Sequence, residues 1–511
     1  MGLGERVTQV LVVGAGHTGL VAAIHLAAAG LDVTVLEHAS TAGGATASGE
    51  LTLPGFVHDR CAAFAPMAVI SPAMRELELD VDWIDPPVVM AHPFDDGSAL
   101  ALHRDAAATV ASLGPAGAGW AAAMERMLPQ TDQLAAAILA PLPPGREALR
   151  LVLALRGAMP RWAWRFLASI ERLGKDVFDG DERATAWIAA SAQHAGLPPT
   201  TLGSGAFGFL LQLVGQSHGW PLPRTGMQAL VDALARRAAA HGAQLRCEAS
   251  VERVLVRGGR VAGVRLAGGE EIGADAVLTT VSAGVLARLL PAGALPGRLE
   301  RRLKRWRYGT AAFKVDYALS GPVPWTAAEA RSAGVVHVAG ELDELVAAAA
   351  AGRRGEVPER PALVVGQQSL HDPTRTPAGQ HTLYVYGHVP NRYDVPDDEV
   401  AARIDAQVER FAPGFASLVV ARAVRPPRQT ERENPSLVGG DLGGGAMELG
   451  QMLVFRPSPR LCRHRTPVRG LYVAGASVHP GGAVHGVSGR SAARALLADR
   501  RRRPWRAPIV D

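Results

Sequence analysis

Val7-Thr8-Gln9-Val10-Leu11-Val12-Val13-Gly14-Ala15-Gly16-His17-Thr18-Gly19 is the stretch that decides the fold. The run to Val13 is short, apolar and rich in β-branched residues, as a strand buried on both faces should be. A glycine loop follows at once, then Leu20–Ala29, an alanine-rich helix stopped by Gly30. Val33–Leu36 makes a second strand, closed by Glu37, which completes a βαβ unit. Each glycine of the G-x-G-x-x-G pattern has its own task. Gly14 allows the tight turn, Gly16 lets backbone approach a pyrophosphate, and Gly19 lets helix pack on strand. The pyrophosphate would sit on a helix N-terminus carrying roughly half a positive charge. Ala15, His17 and Thr18 complete this loop. Glu37, followed by His38, stands where a carboxylate can take both ribose hydroxyls, and it would repel a 2′-phosphate.

The pattern alone is weak in a chain with 57 glycines. Gly203-Ser204-Gly205-Ala206-Phe207-Gly208 also fits it, but Leu197-Pro198-Pro199-Thr200 before it cannot be the buried strand the motif requires. That copy reads as a helix break. The feature that separates the dinucleotides is Gly43-Gly44, shortly after Glu37, with Ala45, Thr46 and Ser48 behind it. A second glycine turn there cradles the pyrophosphate from the other side, an arrangement usual for FAD and unusual for nicotinamide cofactors. FAD is the expected cofactor.

Outward from this unit the chain changes character. Residues 96–219 are long Ala/Leu/Arg stretches broken by prolines, and read as a mostly helical insertion or cap. Thr225-Gly226-Met227-Gln228 has capping-box spacing and should open a helix running to His241-Gly242. Short alternating strands follow, with Arg257-Gly258-Gly259-Arg260 as a hairpin turn, and Ala274–Thr280 as a buried strand. Strand-like pieces between 296 and 439 suggest a second sheet. Leu471–Ala474 reads as a last buried strand and Arg490–Asp499 as a terminal helix. The expected class is α/β: a Rossmann-like FAD-binding domain of the two-dinucleotide-binding-domain flavoprotein type, with a discontinuous α+β substrate domain and a helical insertion. The FAD-binding domain is assigned to 1–95, 220–295 and 440–511, the insertion to 96–219 and the substrate domain to 296–439.

Composition removes several alternatives. The 511 residues are 48% hydrophobic and 20% charged, a globular balance, and a net charge of +5 does not by itself argue for nucleic acid. Only three of the 53 basic residues are lysines, which reads as codon bias rather than as an arginine-built site. Cys61, Cys247 and Cys462 lie far apart, so neither a disulfide framework nor a zinc site is expected, and no metal-ligand spacing occurs. No signal peptide is visible. The best membrane-span candidate, 148–170, carries four arginines, at roughly 2.5–3.5 kcal/mol each in mid-bilayer. A cytoplasmic protein is expected. Peripheral membrane contact could be made through Trp162, Trp164 and Phe166 beside Arg161 and Arg165, although a buried helix is the plainer reading. Arg500–Arg503 and Trp505 read as a solvated basic end.

Near the C-terminus stands Leu471-Tyr472-Val473-Ala474-Gly475-Ala476-Ser477-Val478-His479-Pro480-Gly481-Gly482-Ala483-Val484-His485-Gly486. Together with Gly14–Ala23 and the segments around Gly226–Ala243, His371–Pro390 and Gln451–Pro457, it resembles the phytoene desaturase-like flavoproteins over nearly the whole chain. The resemblance is strongest to the branch called pyridine nucleotide-disulfide oxidoreductase domain-containing protein 2. It implies that the segment around Val251 contacts the adenosine end of FAD. Gly475 is implied beside the ribityl–phosphate part, and His479 to Val484, including Gly481, Gly482 and Ala483, along the isoalloxazine. The following helix then points its positive end at the flavin pyrimidine. The chain departs from the family pattern at Ala42 or Thr41, where a basic residue is usual, at Ala45, where an arginine is common, and at Ala483, where a third glycine is usual. A disulfide reductase would need a dithiol pair and a second nucleotide domain, and neither is present. Electrons must leave to oxygen, a quinone or another acceptor.

The expected reaction takes a hydride from a C–H or C–N bond of a small, lipophilic or secondary-metabolite substrate to flavin N5. His479 is the first candidate for a polar group near the flavin, against a role in bonding loop backbone. Lys314 is the second, as a titratable ammonium in a chain that almost always uses arginine, against an ordinary solvated strand lysine. Amine oxidation and flavin-dependent isomerisation without net redox are the nearest alternatives. A non-catalytic lipid-carrier-like binder is a remote one, because both glycine turns and Glu37 are intact.

Overall fold

The computed structural model describes residues 7–502, so Arg503 and Trp505 of the basic end lie outside the described residues. Five parallel strands form the first sheet, in the order Leu471–Val473, Ala276–Thr279, Gln9–Val13, Asp32–Leu36 and Gln244–Arg246. Val10, Leu11 and Val12 at its centre have no exposed surface, which is why the run is apolar without alternation. Helices His17–Ala28, Gln228–Ala240 and Val487–Arg502 cover one face. A three-stranded antiparallel meander, Val251–Arg257, Arg260–Leu266 and Glu271–Gly273, covers the other with helix Ala283–Leu289. Gly489 lets the last helix cross the first: a Cβ there would lie 2.0 Å from the Thr18 carbonyl oxygen.

The second sheet has seven strands, ordered Val419–Arg425, Ala311–Leu319, His381–Val389, Leu363–Gly366, Ala333–Val338, Val88–Pro93 and Ala99–His103. Its back carries Phe313, Val315, Tyr317, Val336 and Val365 against helix Asp397–Phe411. Its front meets the helical insertion, whose core is built on Trp120, Trp187 and Phe209.

Four sequence expectations change. The boundary at 95/96 falls inside a hairpin, because Val88–Pro93 and Ala99–His103 pair with each other and extend the seven-stranded sheet. The capping box is not formed. Thr225 has φ +68°, and the helix opens at Gln228, whose side-chain amide donates to Ala42 and Asp232. The backbone N–H groups of Met227 and Gln228 donate instead to Asp59 and Ser48. Gly203–Gly208 is a helix start, not a break: Gly203 sits at φ +84° before helix Ser204–His218. Gly208 is needed for packing, since a Cβ would lie 2.7 Å from the Ile188 carbonyl oxygen. Trp162 is buried, whereas Trp164 is 46% exposed, so the aromatic segment divides between core and surface.

Candidate active site

The first βαβ unit builds a cradle of backbone donors. Gly14 takes φ +100°, and a Cβ on Gly19 would lie 1.9 Å from the Gly14 carbonyl oxygen, so both positions require glycine. Helix His17–Ala28 has no side-chain cap and no acidic residue in its first turn. The N–H groups of His17, Thr18 and Gly19 therefore point outward without a protein acceptor among the described residues. Gly43 pairs with Gly16 in an isolated bridge and takes φ +138°, which sets the 3-10 turn Gly44–Thr46 against the same place. The N–H groups of Gly44 and Ala45 are likewise free of protein acceptors among the described residues. Two converging sets of free N–H groups at a helix N-terminus suit a pyrophosphate, so the residues present fit a dinucleotide.

Glu37 is buried, and its carboxylate accepts from Ala15 N–H at 2.7 Å and from Ala39 N–H at 3.0 Å, which leaves lone pairs for ribose hydroxyls. The segment before Val251 runs beside it: Glu248 N–H donates to Ala39 O and Ala249 N–H to Glu37 O. Val251 itself is half-buried, and His38 is exposed. His17 shares a hydrogen bond with the fully buried Thr46 at 3.0 Å, and burial pushes its imidazole down to about 4.

The C-terminal loop closes over this cradle. Gly475, at φ +95°, lies so close to the Thr280 backbone that a Cβ would be 2.3 Å from its oxygen, and Ser488 accepts its N–H. Gly481 takes φ +125°, and Gly482 packs on Gly443. Ala483 adopts φ +141°, a glycine conformation held by an L-residue, so the missing third glycine leaves backbone strain. Val484 is buried against the helices over the first sheet. His485 accepts the Val487 N–H through Nδ1 and donates from Nε2 to Gly481 O; burial pushes it down to about 3. His479 donates from Nε2 to Ala140 O at 2.9 Å, and its buried Nδ1 has no partner. It thus ties the glycine loop to the insertion.

Lys314 is 3% exposed, so the solvated-lysine reading is corrected: the second sheet is covered on both faces. Cross-strand register puts Lys314 opposite Tyr386 and Asp316 opposite Tyr384. The Lys314 ammonium pairs with Asp316 and lies over the Tyr384 ring, 4.5 Å from its centre. Burial pushes the ammonium down, and Asp316 only partly offsets this. Burial also pushes the Asp316 carboxyl up, but Lys314 and His58, whose Nδ1 is 3.4 Å away, together hold it below its ordinary value. Tyr384 OH donates to Cys61 O, and Ala62 N–H donates to Ala45 O, so one segment links Lys314's surroundings to the second glycine turn.

The same sheet face continues through His388, Val364, His337 and His92. Cys61 and His388 are half-buried and His194 is exposed where sheet, glycine loops and insertion meet, which marks a candidate substrate space. Phe64, which packs against Gly366, and the partly buried Leu442 and Met447 add apolar walls to this region. Sequence reading missed Asp316, Tyr384 and His194. Asp316 and Tyr384 left a trace as period-2 alternation, whereas nothing local marks His194.

The residues 17–497 match the model of the family described as flavin containing amine oxidoreductase. The chain is 29% identical to the pyridine nucleotide-disulfide oxidoreductase domain-containing protein 2 of Rattus norvegicus, over 96% of this chain and 93% of that one. It is also 29% identical to a hydroxyneurosporene desaturase of Rhodobacter capsulatus, over 96% and 98%. A putrescine oxidase structure shares the fold, with a TM-score of 0.61 at 18% identity over 97% of this chain and 99% of that one. Glycine cradle, buried Glu37 carboxylate and the match over residues 17–497 agree: the chain belongs to the flavin-containing amine oxidoreductase family and is an FAD-dependent oxidoreductase.

Proposed function

We propose that the chain is a dehydrogenase of the desaturase kind, acting on a C–H bond of a lipophilic substrate held between the seven-stranded sheet and the insertion. The observation that carries this reading is the character of that space. Aromatic and aliphatic side chains of sheet and insertion dominate its walls, and the Lys314 ammonium and Asp316 carboxylate on the sheet face compensate each other. An amine cation would find Asp316 already engaged. The similarity to a desaturase over nearly both full lengths supports the same reading.

FAD, when bound, supplies a hydride acceptor at N5. The chain does the rest. His17, Thr18, Gly19, Gly44 and Ala45 hold the pyrophosphate by backbone N–H, and Glu37 takes the ribose. His479 fixes the C-terminal loop on the insertion, which keeps water out of the candidate substrate space. Lys314 Nζ, as the free amine that burial favours, takes the proton the substrate releases as its double bond forms, and Asp316 Oδ2 steadies the resulting ammonium. Electrons leave to a small oxidant, dioxygen or a quinone.

Substrate delivery is proposed to run over an anionic lipid surface. Leu149, Leu153 and Leu167 are 58%, 61% and 67% exposed on helices Gly145–Leu155 and Met159–Leu167. Arg146, Arg150 and Arg156 beside them form no ion pair among the described residues. Among the described residues no helix is long and apolar enough to cross a membrane.

The test is anaerobic mixing of the FAD-loaded protein with an acyclic polyene that carries an oxygen function at one end and, separately, with putrescine. Bleaching of the oxidised flavin band by the polyene is expected. Bleaching by the amine alone would replace this reading with amine oxidation.

A further inference from the structure

Two imidazoles meet on the front face of the seven-stranded sheet. His194 comes from the short turn Gln193–Ala195 of the insertion and His337 from Ala333–Val338, and their Nε2 atoms are 2.9 Å apart. His337 is 1% exposed, and its Nδ1 has no partner. His194 is exposed toward the candidate substrate space, and its Nδ1 has no protein partner among the described residues.

The proton positions follow from what burial tolerates. Only one N–H can lie between the two Nε2 atoms. A buried N–H without an acceptor is the costlier of the two kinds of orphan, and an unpaired lone pair is the more easily borne. His337 therefore leaves Nδ1 bare and carries its proton on Nε2, donating to His194. His92 beside it shows the same pattern: Nε2 donates to Gly340 O at 2.7 Å while Nδ1 stays unpaired. With Nε2 accepting, the neutral His194 must carry its proton on Nδ1, open to the candidate substrate space. Burial keeps the His337 ring neutral, pushing it well below its ordinary value. His388 does not compete for a ligand, since both its nitrogens are engaged by Gln193 O and Thr310.

We propose that His194 Nδ1–H is the donor that fixes an oxygen acceptor, a carbonyl, ether or hydroxyl oxygen, at the end of the substrate remote from Lys314. This rests on the candidate space being the substrate site. The strands bearing Lys314 and His337 are three strand spacings apart, ~14 Å. The substrate class is thus a lipophilic chain with an oxygen function about that far from the reacting bond, rather than a bare hydrocarbon or a diamine. Trp220 packs edge-on to His194, with ring centres 5.4 Å apart, and holds the imidazole in this orientation.

The experiment is calorimetric titration of the FAD-loaded protein with 2-dodecanone and with n-dodecane. The ratio of their affinities should fall about ten-fold on His194→Phe, the order of one neutral hydrogen bond, and recover in part on His194→Asn, which restores an N–H. His194→Leu gives the same comparison if the Phe variant does not fold. A ratio unchanged within two-fold overturns the assignment of His194 while leaving the space as an apolar site. Binding of neither ligand to the unmodified protein overturns both the assignment and the lipophilic-substrate reading.

Discussion

The carboxylate of Glu37 accepts the backbone N–H of Ala15 at 2.7 Å, so the end of the second strand holds the glycine loop in shape. Glu37→Gln puts an amide N–H where one of the two acceptors is needed. Stability should fall by about 1–3 kcal/mol and FAD should bind roughly ten- to hundred-fold more weakly, read by flavin fluorescence during dilution. Unchanged retention of FAD would show that Glu37 only shapes the loop.

Ala483 stands in a backbone conformation that costs an L-residue on the order of 1–3 kcal/mol. Ala483→Gly should raise the thermal midpoint, because relief of strain exceeds the added freedom of the unfolded chain. Ala483→Val should lower it. The reverse order would mean that surrounding contacts, not backbone conformation, dominate there.

Lys314→Met should slow flavin reduction about 10²–10⁴-fold, as loss of a positioned proton carrier does, with little change in the flavin spectrum. Lys314→Arg should recover little, because a guanidinium does not give up its proton. Rapid-mixing absorbance reads both. A rate within three-fold of the unmodified protein removes Lys314 from the chemistry.

Acid should loosen the fold well above carboxylate pH values. His92, His464 and His485 are buried and held down to about 4, 4 and 3. Their unfolded value is ~6.5, so the unfolded chain binds more protons below it. Their contribution is fully present above pH ~6.5 and is lost as pH falls toward 4, on the order of 3 kcal/mol each. The urea midpoint should therefore drop steeply from pH 7 to pH 5. A flat profile would contradict the neutral, buried state of these rings.

Neutralising Arg146, Arg150 and Arg156 together should cut binding to phosphatidylserine vesicles by about 1 kcal/mol per charge, and Leu153→Asp with Leu167→Asp should abolish it. Equal sedimentation with neutral and anionic vesicles would contradict the charge argument.

The first βαβ unit was legible because strand, loop, helix and carboxylate are contiguous, and each residue type answers a local demand. The hairpin 88–103 was not. Val88–Pro93 finds its parallel partner in Ala333–Val338, far along the chain, and no local pattern reports such a pairing. The helix at Gln228 misled for a related reason: its cap comes from Ser48 and Asp59. Lys314 and Asp316 alternate with Phe313, Val315 and Tyr317, the pattern of a half-solvated strand, and only the tertiary cover of the insertion makes the polar side an interior one. His194 carries no signal at all, since its meaning depends on the imidazole across from it.

The strand Ala276–Thr279 is flanked by Gln9–Val13 on one side and by Leu471–Val473 on the other. During synthesis the ribosome delivers the first two long before the third, so the newborn chain exposes Val277–Thr279 as an unpaired apolar edge until residue 473 has emerged. The same delay applies to the C-terminal glycine loop, because Gly475 and Gly481 follow that strand. A chain ending before residue 471 is left with an unpaired edge on the first sheet and without the glycine loop that follows it.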